Sequence, residues 1–474
     1  MFLKKFIGDK KFYLSVMVIA LPIMLQNGIT SFVNFLDNFM VGLIGTEEMS
    51  AVGIINQLVF VFNLFVFGSA SGAGIFTAQY HGKGDVDGVR ISFRFKVIVC
   101  LVIAVLSVGA FILFDSTLIS LFLNEGSVDG DLALTLSFAK KYLKIAVIGL
   151  IPYAFGQCYC DTLRQIGQTV VPMVSGAIAV GVNFILNYLL IFGKLGLPAL
   201  GVEGAAIATV IARFIECFVV VIYTHLKSEK YPFIVGAYTK FSLPLKRFVE
   251  IGKRALPLFL NEALWSLGMT MLVRCYSVRG IAVFAGFNIA TTVQNVFNIA
   301  FLSLGNAVGI IVGYHLGAGE FDKAKDTDNK LIAFSVAVSV ICGILMFCLS
   351  SAISGIYTEV SQEAREIATF CMRVMAITLP MHAFLHSSYF TLRSGGKTFI
   401  TFLFDSVFIW AVSSTLAFCL VTFTDLSIFV IYPIVASVDL IKCVIGFILV
   451  YKNGWCSVFR LLWVQSSLQA ALSR

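Results

Sequence analysis

Charge is scarce in this sequence. Only 13% of its 474 residues are Asp, Glu, Lys or Arg, against 59% hydrophobic, whereas soluble domains carry about 25% charged and 45–50% apolar residues. So little polar surface excludes a soluble fold and points to a polytopic membrane protein. Patterned cysteine is lacking too. The eleven cysteines are scattered, mostly inside apolar runs, and the one close pair, Cys158 and Cys160, has neither CxxC spacing nor a second cluster, which argues against a disulfide framework or a zinc site. No HExxH or comparable metal spacing occurs, and no nucleophile stands with a base, so neither a cofactor nor an enzyme is expected, and no metal beyond Na+. The net charge of +8 is carried by Lys and Arg in short connections between apolar runs. Orientation in a membrane explains them there, with no call for a nucleic-acid partner.

What is present is a series of apolar runs. Lys4, Lys5, Lys10 and Lys11 precede the first, which is too long for a signal peptide and lacks a cleavage pattern, so it reads as a retained anchor. Runs long enough to span a bilayer lie near 13–43, 50–80, 92–114, 133–160, 168–192, 202–225, 248–275, 281–314, 331–350, 366–391, 399–423 and 428–451, each meeting the roughly 20 residues a spanning helix needs. Twelve transmembrane helices are expected. Basic residues cluster after the second run (Lys83, Arg90, Arg94, Lys96), the sixth (Lys227 to Arg254) and the eighth (Lys323, Lys325, Lys330). These mark the inner side of an inner or plasma membrane, with both termini cytoplasmic.

The chain repeats itself. Ala20-Leu21-Pro22 recurs as Ala255-Leu256-Pro257, Tyr80-His81 as Tyr314-His315, Pro152 as Pro380, and Thr162-Leu163-Arg164 as Thr391-Leu392-Arg393, at an offset of about 230 residues. Each half has an even number of spans, so the repeats are parallel. The expected organisation is an N-terminal six-helix lobe (1–226), a cytoplasmic linker (227–247) and a C-terminal six-helix lobe with its tail (248–474). Transporters of this plan hold substrate between the lobes.

Asp37 is the lone carboxylate in the run Phe12 to Leu43. A charge inside a spanning helix is costly and by default functional. Asn183 and Asn187 share a helix face at i and i+4, and Thr209 lies in the next span. Should they approach Asp37, they form a site for a hard monovalent cation or a proton; the other reading is plain hydrogen bonding between helices. In the second half Glu262 stands five residues past Pro257, and His382 and His386 share a face, a candidate protonatable set; here too the alternative is interhelical hydrogen bonding and a wet vestibule. Arg213 with Glu216, and Asp439 with Lys442, read as i,i+3 pairs neutralised within one turn. His81 and His315 sit where helices end, and Arg164 and Arg393 read as anchors or gate residues. Polar residues including Asn34, Gln57, Gln294 and Asn295 are substrate-cavity candidates.

The run Asn187-Tyr188-Leu189-Leu190-Ile191-Phe192-Gly193, then Gly196-Leu197-Pro198-Ala199-Leu200-Gly201-Val202 and Gly204-Ala205-Ala206-Ile207-Ala208-Thr209, resembles the signature of the multidrug and toxic compound extrusion (MATE) transporters, in their bacterial NorM/DinF-like branch. Asp37-Asn38-Phe39-Met40-Val41-Gly42 and the Leu-Arg-x-x-Gly helix ends are similar too. The resemblance implies a V-shaped pair of six-helix lobes and antiport of small organic cations or amphiphiles against Na+ or H+, with no obligate protein partner. It makes Asp37, Asn183, Asn187 and Thr209 the cation or proton site and Pro22 the bend of the first helix. Where some members carry a helix-10 acid this chain has His382, a poor Na+ ligand and a good proton carrier. A lipid-linked precursor flippase is the alternative, and it calls for Arg or Lys in the central cavity.

Overall fold

A computed structural model describes residues 5–120, 132–239, 244–358, 360–451 and Trp455, except the side chains of Asn34, Phe35, Asn38, Phe39, Thr46 and Ile281. The described chain is all-α: α1 Lys10–Gly42, α2 Thr46–Lys83, α3 Val86–Leu113, α4 Asp115–Ser120, α5 Leu132–Ala146, α6 Leu150–Gln165, α7 Val170–Phe192 and α8 Gly201–Leu226 make the first half. The second half has α9 Leu245–Ser277, α10 Ile281–Gly317, α11 Phe321–Ile356, α12 Gln362–Ser394, α13 Thr398–Phe402, α14 Thr415–Phe423, α15 Ile428–Ser437 and α16 Asp439–Tyr451.

Eleven helical segments among the described residues are long and apolar enough to cross a membrane. The remaining expected span, 133–160, is there in two pieces. Residues 132–165 follow one helical path, but α5 (15 residues) and α6 (16 residues) are separated by a 3₁₀ turn at Val147–Gly149. Pro152 has no N–H to give the carbonyl of Ile148, so the helix tightens just ahead of it. The fold is thus consistent with twelve helices in two lobes. Outward-facing side chains are apolar, with Leu106, Ile112, Ile341 and Val444 all at least 60% exposed, a surface suited to lipid.

By packing, the chain falls into two compact units, one of Leu25–Thr77 with Asp85–Ala255, the other of Met1–Met24 and Ala78–Gly84 with Leu256–Arg474. In the first, the inter-repeat segment is folded down onto α3. Arg94 Nε and Nη2 donate to the carbonyls of Ala237 (2.9 Å) and Gly236 (2.8 Å), and Arg90 donates to those of Phe233 and Pro232 (both 3.2 Å). Tyr231, Phe233, Ile234 and Ala237 are buried. Arg94 and Lys96, expected in a cytoplasmic loop, instead lie inside α3 and are buried, Lys96 with its ammonium 2.7 Å from Asp161. Buried charge is tolerated because it is paired.

In the second unit α12 is the central helix, packed by α10, α11, α15 and α16. Cys371, Met372, Met375 and Ala376 face a core closed by the mutually packed rings of Tyr276, Phe287 and Tyr432. The repeated Tyr-His segments meet in this unit. A Cβ on Gly82 would run into the carbonyl oxygen of Tyr314, and one on Gly317 into that of Gln79. The chain turns two residues beyond each, at Gly84 (φ 74°) and Gly319 (φ 77°), where left-handed backbone favours glycine.

Candidate functional site

α7 carries Asn183 and Asn187 on one face, 5% and 1% exposed, with their carboxamides 3.3 Å apart. Asn187 Nδ2 lies 2.6 Å from Asp37 Oδ1 on α1. Thr209 on α8 is 3.4 Å from the Asn183 carboxamide. The carboxamide of Asn183 faces the carboxylate of Asp37. With its nitrogen toward α1 it donates to both Asp37 oxygens, at 3.0 and 3.1 Å. Asn187 Oδ1 is buried and takes no hydrogen bond. No cationic side chain is paired with Asp37 among the described residues. Arg213, one turn beyond Thr209, is held by Glu216 at 3.2 Å and lies over the Tyr153 ring at 4.7 Å. One carboxylate among neutral oxygens can hold a hard monovalent cation or a proton.

The second unit holds a different network. Tyr389 donates to Glu262 Oε1 at 3.2 Å, and Asn261 Nδ2 reaches both the Tyr389 hydroxyl (3.4 Å) and Asp405 Oδ2 (3.2 Å). Ser406 donates to Asn261, and Lys442 Nζ lies 2.7 Å from Asp405 Oδ1. Residues Leu403–Val407 and Ile409–Ser414 are π-helical, a geometry frequent at functional sites. Neither histidine touches Glu262. His382 Nε2 is 3.5 Å from Asp439, and His386 packs among Phe301, Tyr389 and Phe390 with its Nε2 unpartnered.

The family model described as MatE matches residues 22–189 and 257–421, one match in each half. The chain belongs to the MatE family. It is therefore a membrane transporter and not an enzyme. Similar relatives are a probable multidrug resistance protein NorM of Thermotoga maritima, 25% identical over 86% of each chain, and the multidrug resistance protein MdtK of Edwardsiella ictaluri, 27% identical over 77% of this chain and 78% of the relative. Among solved structures, a MOP superfamily transporter from Pyrococcus furiosus covers 96% of this chain and 98% of its own at 18% identity, with a TM-score of 0.84. An outward-facing multidrug resistance MATE family transporter covers 94% and 96%, also at 18% identity, with a TM-score of 0.83. At that identity these likenesses carry the fold.

In this MatE chain the structure brings Asp37, Asn183, Asn187 and Thr209 together. Glu262, His382 and His386 are divided among separate contacts because His382 is drawn to Asp439. That contact also corrects the expected Asp439–Lys442 pair: only Arg213–Glu216 closes within its own helix turn, while Lys442 turns to Asp405. Gln57 and Asn295 are exposed, Gln294 is half-buried, and none of the three bonds another protein group among the described residues. The side chain of Asn34 lies outside the described set, as do residues 456–474. Asn261 and Asp405 were missed by sequence reasoning. Asp405 is the lone charge in the run 399–423, the same signal that singles out Asp37. Asp328 also escaped notice; it is 1% exposed and accepts from Thr391 at 2.5 Å.

Proposed function

We propose that this MatE transporter is a secondary multidrug efflux antiporter that exports cationic or amphiphilic compounds in exchange for Na+ or H+ by alternating access. The observation that carries the reading is Asp37: a carboxylate inside α1, met by two carboxamides and paired with no cation among the described residues. Such an acid is neutralised only from solution. The coupling ion, bound among Asp37, Asn183, Asn187 and Thr209, is a proton on Asp37 or Na+ held with the Asn and Thr oxygens. Coupling requires that ion and substrate prefer different arrangements of the protein, and Pro22, which removes a backbone donor inside α1, lets that helix bend between them.

The multidrug names of the relatives support a broad substrate class. The buried lysines Lys96 and Lys442 are each matched by a carboxylate. The basic connections support a cytoplasmic position for both termini. The test is ethidium accumulation in cells stripped of other exporters: expression of the protein lowers accumulation and Asp37→Asn abolishes that effect. Equal protection by Asp37→Asn would contradict the assignment.

A further inference from the structure

Lys442 is 7% exposed, and its ammonium is surrounded by groups of its own unit. Asp405 Oδ1 lies 2.7 Å from it, and the rings of Phe404 and Phe408 stand 5.3 and 6.0 Å away at their centroids. A carboxylate with two aromatic faces is the chemistry that recognises an alkylammonium ion. The carboxylate is fixed in turn, because Asn261 donates to its second oxygen and the π-helical turns set the register at which it leaves the helix. We propose that Asp405, Phe404 and Phe408 form an alkylammonium-binding site whose resident ligand is the side chain of Lys442.

The first unit supplies the contrast. There the charged pair of α8 closes on itself as Arg213–Glu216, and Asp37 is left to carboxamides. In the second unit the corresponding pair on α16 is split, with Asp439 turned to His382 and Lys442 delivered to Asp405. Asp37 is thus met by neutral carboxamides and Asp405 by an ammonium. Asp405 is the group to which an external cation could gain access only by displacing Lys442.

The test is thermal unfolding of the full-length protein in detergent, so its outcome does not depend on the transport reading. Lys442→Ala should unfold at lower temperature than the unsubstituted protein. n-Propylammonium chloride, which replaces the deleted stem and ammonium, should restore at least half of that loss with a saturable dependence up to about 50 mM, as expected for a ligand that binds the folded state. Sodium and choline chloride at equal ionic strength should not, nor should the amine shift the unsubstituted protein or Lys442→Ala/Asp405→Asn. Absence of restoration, or an equal shift in those two controls, would overturn the proposal. If Lys442→Ala does not accumulate, the neutral pair Lys442→Met/Asp405→Asn decides. It leaves no unmatched charge and should accumulate and unfold within about 3 °C of the unsubstituted protein. Its failure to accumulate would also overturn the assignment.

Discussion

The carboxylate of Asp37 and the carboxamide of Asn187, 150 residues apart in the chain, meet at 2.6 Å. Asn187 donates to Asp37 Oδ1, while its own Oδ1 is buried and accepts no hydrogen bond. The contact therefore orients the acid.

The charged network of the second unit makes a double-mutant prediction. Removing one member of a buried ion pair leaves an uncompensated charge and costs about 3–5 kcal/mol, whereas replacing both by neutral groups of similar size is close to neutral. Asp405→Asn and Lys442→Met alone should each destabilise strongly, and the combination should recover most of the loss. Denaturant titration in mixed micelles measures all three, and additive losses would show that the pair is not coupled.

At the crossing of α2 and α10 the glycines differ in what they do. Gly82→Ala and Gly317→Ala place a methyl group against a backbone carbonyl that cannot move aside and should cost about 1–3 kcal/mol. Gly84→Ala meets no atom within 4 Å and carries only the left-handed backbone penalty of about 1–2 kcal/mol. Larger residues separate the two cases: Gly82→Leu should abolish accumulation of the folded protein, while Gly84→Asn should leave it nearly unchanged, as read by size-exclusion chromatography.

Arg94→Lys tests the folded inter-repeat segment. The guanidinium reaches two successive carbonyls, Gly236 and Ala237, in a fork that a lysine ammonium cannot reproduce. Loss of one charge-assisted bond is worth about 1.5–3 kcal/mol. Limited proteolysis should cut near Tyr238 several-fold faster in the variant, with α3 itself intact.

Glu320, in the turn after α10, is partly exposed, and its bonds with Lys323 and His315 hold its carboxyl below the ordinary value. An acid depressed in the folded state stabilises that state above its unfolded value and loses the contribution as pH falls through the folded one. Exchange at the Glu320 amide, which donates to the His315 carbonyl, should therefore accelerate beyond its intrinsic rate as the pH is lowered from about 6 to 3. Glu320→Gln should lack that acceleration.

The spans and the first-unit site were legible because their signals are local. A lone acid in an apolar run, two Asn at i and i+4, and motif copies at a constant offset can all be read without tertiary contacts. The Lys442–Asp405 pair could not be read that way. Its members lie on different helices, one within π-helical turns whose register no spacing rule anticipates, and the i,i+3 spacing of Asp439 and Lys442 points to a local pair that the structure does not form. Lys96 was obscured differently. It stands near the start of α3 among basic residues, and only the packing of Asp161 against it shows that it is interior. The 3₁₀ break at Val147–Gly149 follows from Pro152, whose helix-tightening effect is local but whose position within a single apolar run gave no boundary.

The central claim is that Asp37 couples an external cation to efflux. The direct measurement is export of a fluorescent organic cation from proteoliposomes under a Na+ gradient or a pH gradient imposed separately, with Asp37→Asn reconstituted alongside. The account predicts that one of the two gradients drives export at least tenfold above the ungraded rate, and that Asp37→Asn loses that acceleration while still binding the substrate. Gradient-driven export by Asp37→Asn equal to that of the unsubstituted protein would contradict it.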